Sequence, residues 1–307
     1  MLKLQTWTLS LLYFISLGLK DASSSSTLAA SKTASNHPEC TAIAPFYWEI
    51  GDATGVLASG NIGSKSIAAN KSLAIASASK LLFSAYVIEK LNGNLTPSII
   101  QGLNFTSGYS NFSSCLGTLL VGGCYSKRVG HENSHNDKFY YGGGHMQKIA
   151  SVDLKLAKMG TRALESEIQS YIGKDISLSF SIPQPAGGIR ISAQDYGMFL
   201  RKILSPSGLK IRDFLGKNSV CTNTNVCSTS IHGPVPLTES WNYSLGHWVE
   251  SDGTFSSPGL FGFYPWISAS KELYGILSRH DTDNTAYWNS VKCGRLIRKA
   301  YLTGVQQ

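Results

Sequence analysis

Ser77-Ala78-Ser79-Lys80, followed directly by Leu81-Leu82-Phe83-Ser84-Ala85-Tyr86-Val87-Ile88-Glu89-Lys90-Leu91, is the stretch on which the reading of this chain turns. The apolar run has helical spacing, and the tetrapeptide stands at its head as S-x-x-K. Positions i and i+3 share a helix face, so the Lys80 ammonium falls beside the Ser77 hydroxyl. A serine hydroxyl becomes a useful nucleophile when a neighbouring base takes its proton, and a buried lysine is such a base. The start of a helix also offers unpaired backbone N–H groups and a positive dipole end beside the nucleophile. S-x-x-K occurs twice more, at Ser207-Gly208-Leu209-Lys210 and Ser268-Ala269-Ser270-Lys271. The former follows Pro206 and reads as a loop entering a short helix. The latter lies between two strand-like runs, Phe263–Ile267 and Leu273–Leu277, and reads as a hairpin turn. Only Ser77 heads a long apolar run.

Working outward, Pro45–Ile50 and Val56–Gly60 flank Gly51-Asp52-Ala53-Thr54-Gly55, a hairpin pattern. Residues 105–145 are polar and rich in Gly, Ser and Asn, and read as long loops of the kind that often carries function. Residues 148–172 have amphipathic spacing and read as one helix ending at Gly173. A further helix is expected over 194–204, with Ser192 as its N-cap. Three strand-like runs are expected over 240–280, and a closing helix over 283–302. Strands at both ends with helices between them predict an α/β (α+β) fold. Its antiparallel sheet is built from the two termini and flanked by helices, with a helical lobe inserted.

The 307 residues are 42% hydrophobic and 15% charged, enough for a sizeable core under a lightly charged surface. The net charge of +8 suits an anionic cell envelope, and a cell-envelope association is among the expected partners. No arginine-rich run or zinc-finger spacing is present, so nucleic acid is not expected as a partner. Residues 1–24 read as a secretory signal: Lys3, then an uncharged apolar stretch from Trp7 to Leu19, then Ala22 and a serine run. A polar N-terminal segment covers 25–44 and the main domain 45–307. The expected location is secreted or periplasmic. Six cysteines fit that compartment. The pairing expected from their positions is Cys40–Cys293, Cys115–Cys124 and Cys221–Cys227, one of 15 formal connectivities. No CxxC or paired-histidine spacing stands near them, so no metal is expected, and no cofactor. N-x-[ST] sequons stand at Asn70, Asn94, Asn104, Asn111 and Asn242, as many as this Asn-, Ser- and Thr-rich composition gives by chance.

Further phrases follow Ser77 in a recognisable order. Phe105-Thr106-Ser107-Gly108-Tyr109 is similar to a T-S-G loop. Phe139-Tyr140-Tyr141-Gly142-Gly143-Gly144-His145-Met146 is similar to an F-x-Y-S-N segment. Ala186-Gly187-Gly188-Ile189-Arg190-Ile191-Ser192-Ala193-Gln194-Asp195 is similar to an A-G-G-x-x-S-T-A-x-D helix start. Ser257-Pro258-Gly259 stands where K-T-G or H-x-G would follow. The ordered set, over roughly residues 45–300, resembles the serine β-lactamase and penicillin-binding-protein superfamily, nearest to the class C β-lactamase-related esterases and peptidases.

The resemblance implies an acyl-enzyme on Ser77, with Lys80 as its base and Tyr141 as proton relay. It implies a substrate site formed by Gly143, His145, Ser257, Gly259 and Leu260, and an oxyanion hole from the N–H groups of Ser77 and the Leu260 region. Two departures shape the substrate. Gly143 replaces the usual Asn, and Ser257 replaces the cation that meets a substrate carboxylate. The expected substrate is therefore a small-molecule ester, amide or peptide rather than a β-lactam. A silent member of the fold that binds peptide or cell-wall fragments is the alternative. From residue type alone, His145 could be a plain loop residue, could orient Tyr141, or could act as a base. His247 and the solvated-turn His280 read as structural, and Phe263 and Trp266 as core.

Overall fold

The computed structural model describes residues 24–64 and 67–307, so the leader read over residues 1–24 falls, but for Ser24, outside them. An eight-stranded antiparallel sheet forms the body. Its strand order is Val56–Ile62, Phe46–Gly51, Tyr274–Ser278, Tyr264–Ile267, Phe255–Ser256, Trp248–Val249, Asn242–Tyr243, Val220–Cys221. The N-terminal hairpin is thus joined to the C-terminal strands, with Trp48 opposite Leu277 and Glu49 opposite Ile276. This is the terminal-strand sheet expected from the order of elements.

Helices cover both faces. Ala286–Thr303 packs on the strands Tyr264–Ile267 and Tyr274–Ser278, and Ala193–Leu204 packs on Tyr274–Ser278 and Phe46–Gly51. Ser192 caps the latter helix, its hydroxyl accepting from the Asp195 N–H at 3.0 Å. Residues 24–36, polar in composition, form a helix whose Ala30 and Ala34 are buried. Cys40 lies just beyond it and is joined to Cys293 of the last helix, so the two ends of the domain are covalently tied. Cys115–Cys124 and Cys221–Cys227 are the other two bridges. Among the described residues no helix is long and apolar enough to cross a membrane.

The helix Ser79–Lys90 runs through the centre. Every residue from Ser79 to Ile88 is buried, which is why the run is apolar on all sides and not on one stripe. Leu81, Leu82, Phe83, Val87 and Ile88 each contribute about 1.5–3 kcal/mol of transfer free energy on burial.

Three local expectations change. Residues 148–172 form no single helix. The chain makes Gly144–Lys148, a wide turn over Ile149–Asp153 and then a separate helix, Thr161–Ile172, which ends at Gly173 as expected. Between them Lys155 takes φ +58°, and Val121 and Gly122 donate to the carbonyls of Met159 and Ala157 at 2.9 Å each. Tertiary pairing there overrides helical periodicity. The polar stretch 105–145 contains the helix Val121–Arg128. The region 240–280 holds five short strands, not three, because turns at Gly246 and Gly253, both with positive φ, subdivide it.

Candidate active site

Ser77 sits in the tight turn Ala76–Ala78 that opens the central helix. Ala76 precedes it at φ +45°, a strained conformation for a residue with a Cβ. Surrounding contacts hold that turn. Ala78 C=O accepts from Tyr196 Oη at 2.9 Å, Ser79 Oγ accepts from the Ile189 N–H at 3.3 Å, and Ser77 C=O accepts from Ser257 Oγ at 3.2 Å. Gly259 closes the seam. A Cβ there would lie 2.0 Å from the Ile75 carbonyl oxygen, so only glycine lets the segment Ser257–Leu260 approach the Ser77 turn.

Lys80 Nζ donates to Ser77 Oγ at 2.8 Å and to the Ala186 carbonyl at 2.9 Å. It is buried, and burial brings its pKa down to about 7, where a lysine can exchange protons at neutral pH. Its ammonium stands 4.9 Å from the centre of the Tyr141 ring. Tyr141 is anchored by its own N–H, which donates to the His232 carbonyl at 2.9 Å. Burial pushes its phenol up to about 12, and the Ser77 and Trp248 side chains, which face the hydroxyl, partly offset that rise. At neutral pH the phenol is therefore protonated, and the lysine is the group near its point of titration.

Ser77 and Tyr141 line a cavity of about 220 Å³. Its lining also includes the aromatic Trp241, Trp248, Tyr287 and Trp288 and the aliphatic Pro234, Val235, Pro258 and Leu260. Among the described residues no charged side chain lines it. Neither the Ser77 nor the Leu260 N–H has a hydrogen-bond partner among the described residues. Backbone N–H groups without an internal partner are the kind of donor that receives an oxyanion.

The aromatic walls are themselves braced. Arg295 makes a bidentate pair with Glu239, at 3.0 Å on each arm, and donates to Glu250 at 3.1 Å. Its guanidinium lies 4.8 Å from the Trp241 ring and 5.6 Å from that of Trp288. Trp241 Nε1 donates to Glu239 at 2.9 Å, and Tyr287 Oη donates to the Pro234 carbonyl at 2.6 Å.

The substrate-site residues expected from sequence divide. Leu260 lines the cavity, while Gly259 and Ser257 support it from behind, through the backbone approach and the bond to the Ser77 carbonyl. Gly143 and His145 are not among the lining residues. A Cβ at Gly143 would be 2.6 Å from a Phe112 ring carbon, so Phe112 fills the space an asparagine would take. His145 is wholly buried, between Ser107 Oγ at 2.8 Å and the Tyr140 carbonyl at 3.1 Å, and stacks on Phe105. Burial lowers its pKa to about 3, which leaves it a poor base. His247 is structural as read: the Gly216 N–H donates to its Nε2 at 3.0 Å, and burial lowers its pKa to about 4. Trp241, Trp248, Tyr287, Trp288 and Arg295 were not singled out from sequence. Their clustering of aromatic residues near a strand–helix junction was the one available signal. Among the described residues no group of histidine, cysteine and carboxylate side chains is arranged to hold a metal ion.

No family model matches the chain, and no curated protein is similar to it in sequence. Solved structures are similar in fold. EstCE1, a hydrolase with promiscuous acyltransferase activity, is 11% identical with a TM-score of 0.64, over 92% of this chain and 98% of that one. A β-lactamase from Mycobacterium bovis is 14% identical with a TM-score of 0.58, over 86% and 96%. A D-stereospecific amidohydrolase from Streptomyces sp. is 13% identical with a TM-score of 0.58, over 88% and 97%. With the sheet order, the central helix and the Ser77 seam described above, these likenesses give the chain the fold of the serine β-lactamase and penicillin-binding-protein superfamily.

Proposed function

We propose that the protein is a serine hydrolase that cleaves neutral esters with an apolar acyl group through an acyl-enzyme on Ser77. The observation that carries the reading is the largely aromatic cavity, with no charged side chain among its described lining residues, that is lined in part by Ser77, itself in contact with a buried Lys80. Lys80, neutral in part at pH 7, takes the Ser77 proton as Oγ attacks the ester carbon. The oxyanion is received by the N–H groups of Ser77 and Leu260, each such donor being worth about 3–4 kcal/mol in enzymes where one has been removed. Tyr141, protonated at this pH, hands its proton to the departing alkoxide and is reprotonated by the Lys80 ammonium. The C–O bond breaks, the alcohol leaves, and water, deprotonated by the same groups, frees the acid and restores Ser77. A substrate carboxylate would find no cation in the cavity, which argues against β-lactams and for esters. The same reading takes the protein as exported, to the periplasm or outside the cell, and three disulfides support that compartment.

A fluorophosphonate probe tests the site. The wild-type chain should label once, Ser77→Ala should lose the label, and Ser207→Ala and Ser268→Ala should keep it. With p-nitrophenyl esters against a chromogenic cephalosporin, ester turnover should exceed β-lactam turnover by at least about a hundredfold. Label surviving Ser77→Ala refutes the nucleophile, and rapid β-lactam hydrolysis refutes the substrate class. Absence of both label and turnover would favour the silent, peptide-binding reading, for which Gly143 and Ser257 are the supporting departures.

A further inference from the structure

The Cys115–Cys124 loop carries three leucines in the open. Leu116 is 71% exposed, Leu119 85% and Leu120 43%. Apolar side chains on a loose loop could fold back, but these are held out. Cys115 and Cys124 are both buried and bonded to each other, and Thr118 closes a tight turn by donating from N–H and hydroxyl to the Cys115 carbonyl at 3.0 and 2.6 Å. The loop is fixed to the body by the Cys115 N–H, which donates to Gln184 at 3.0 Å, and by the pairing of Val121 and Gly122 with Met159 and Ala157. A large exposed apolar display on a rigid support marks a contact surface.

The charge around it identifies the contact. Residues 113–131 contain Lys127 and Arg128 and no carboxylate, and residues 154–164 contain Lys155, Lys158 and Arg162 and no carboxylate. All five cations are exposed, and none makes an ion pair among the described residues. The second of these segments is the one paired to the leucine loop. Asp153, just before it, is already neutralised by Lys148 at 2.8 Å. Exposed leucines flanked by unpaired lysines and arginines match a surface that offers both phosphate charge and a hydrocarbon interior.

We propose that the Cys115–Cys124 loop docks the protein on an anionic lipid bilayer, Leu116 and Leu119 entering the interface and Lys155 and Lys158 meeting the headgroups. This surface stands on exposure and charge, and does not depend on the hydrolase reading.

The test is flotation of the full chain with vesicles of phosphatidylcholine alone and of phosphatidylcholine with phosphatidylglycerol. All variants keep residues 1–23, so any contribution of that apolar stretch is common to them. The wild type should partition to the anionic vesicles and be released at about 0.5 M salt. Leu116→Ser/Leu119→Ser and Lys155→Glu/Lys158→Glu should each reduce partitioning at least about tenfold. Val56→Ser, another exposed apolar residue on the hairpin, should not change it. Because the substituted side chains are exposed, melting temperature and turnover of a soluble ester should be unaltered. Equal flotation of wild type and both double variants, or flotation indifferent to phosphatidylglycerol, overturns the proposal. So does a wild-type dimer that Leu116→Ser/Leu119→Ser converts to a monomer in sedimentation, which would give the loop to a second copy of the chain.

Discussion

On one side of the cavity, Ser77 and Lys80 come from a single turn of backbone. On the other, Trp248 comes from a sheet strand, Trp241 from the residue just before the strand Asn242–Tyr243, and Tyr287 and Trp288 from the first turn of the last helix. The first side is polar and fixed by hydrogen bonds to its own neighbours. The second is apolar and fixed by a charged brace that lies behind it, Glu239 and Arg295. In the proposed reaction the first side does the chemistry and the second chooses the acyl group. Changes to the two sides should therefore separate in kinetics: the chemical side in turnover of every substrate, the aromatic side in the ranking of substrates.

The largest effect is expected from Lys80→Met. Turnover should fall by about a thousandfold or more for all esters. In the wild type the lysine must be neutral to act, so the acylation rate should rise about tenfold per pH unit below pH 7 and level off above it. Stability should also rise with pH, but over a higher range. The folded-state pKa of about 7 lies below the ordinary 10.5, so the native chain binds fewer protons than the unfolded chain between those values. The cost of the buried ammonium is thus fully felt below pH 7 and relieved as pH rises toward 10.5. Lys80→Met removes it. After allowance for the two lost hydrogen bonds, the variant should be more stable at pH 7 by about 1–3 kcal/mol in urea unfolding. A variant both inactive and less stable would show that Lys80 serves the fold.

The aromatic side should respond more gently and more selectively. Arg295 cannot be removed cleanly, because it also faces Glu250, which is wholly buried. Glu239→Gln is the better probe: it keeps an acceptor for Trp241 Nε1 and weakens the bidentate pair. We expect kcat/KM for bulky acyl esters, such as benzoates, to fall about five- to tenfold while acetates change less than about twofold. Trp241→Ala should widen the cavity and extend that gap to about a hundredfold. Equal losses on acetate and benzoate would break the division of labour between the two sides.

That division also describes what could be read before the structure. The Ser77 side was legible because its geometry is local: a three-residue spacing, an apolar run, an N-cap at Ser192, a hairpin around Asp52. The disulfides were legible because Cys115–Cys124 and Cys221–Cys227 are short-range and Cys40–Cys293 suited a sheet made from both termini. The aromatic side was not legible, since nothing in the spacing of Trp241, Trp248 and Trp288 says that they meet. The break in the 148–172 helix was hidden for the same reason: backbone pairing with Val121 and Gly122 outweighs periodicity. The motif around Tyr141 led to a tyrosine that lines the cavity with Ser77, whereas Gly143 and His145, expected as substrate contacts, are not among the lining residues. A motif gives order along the chain, and Phe112, the residue that fills the space beside Gly143, lies outside it.

Phe112 leads to the smallest expected effect, and to the sharpest test of how the chemical side is held. Lys80 has two acceptors, Ser77 Oγ and the Ala186 carbonyl. A Cβ at position 143 would press on Phe112 at 2.6 Å and on the Ala186 Cβ at 3.3 Å. If Ala186 supplies the second acceptor because the glycine leaves room for this packing, then Gly143→Asn should disturb it. The backbone there is αR, which asparagine tolerates, so the effect would come from crowding and not from backbone strain. Turnover should drop about three- to tenfold for acetate and benzoate alike, with the pH profile of acylation displaced as the Lys80 contacts change. Phe112→Ala on the same background removes the obstructing ring and should return most of the lost rate, whereas Phe112→Ala alone should cost less than about threefold. If Gly143→Asn leaves both rate and pH profile untouched, the Ala186 carbonyl is not held in place by that packing, and the glycine is a substitution without consequence for Lys80.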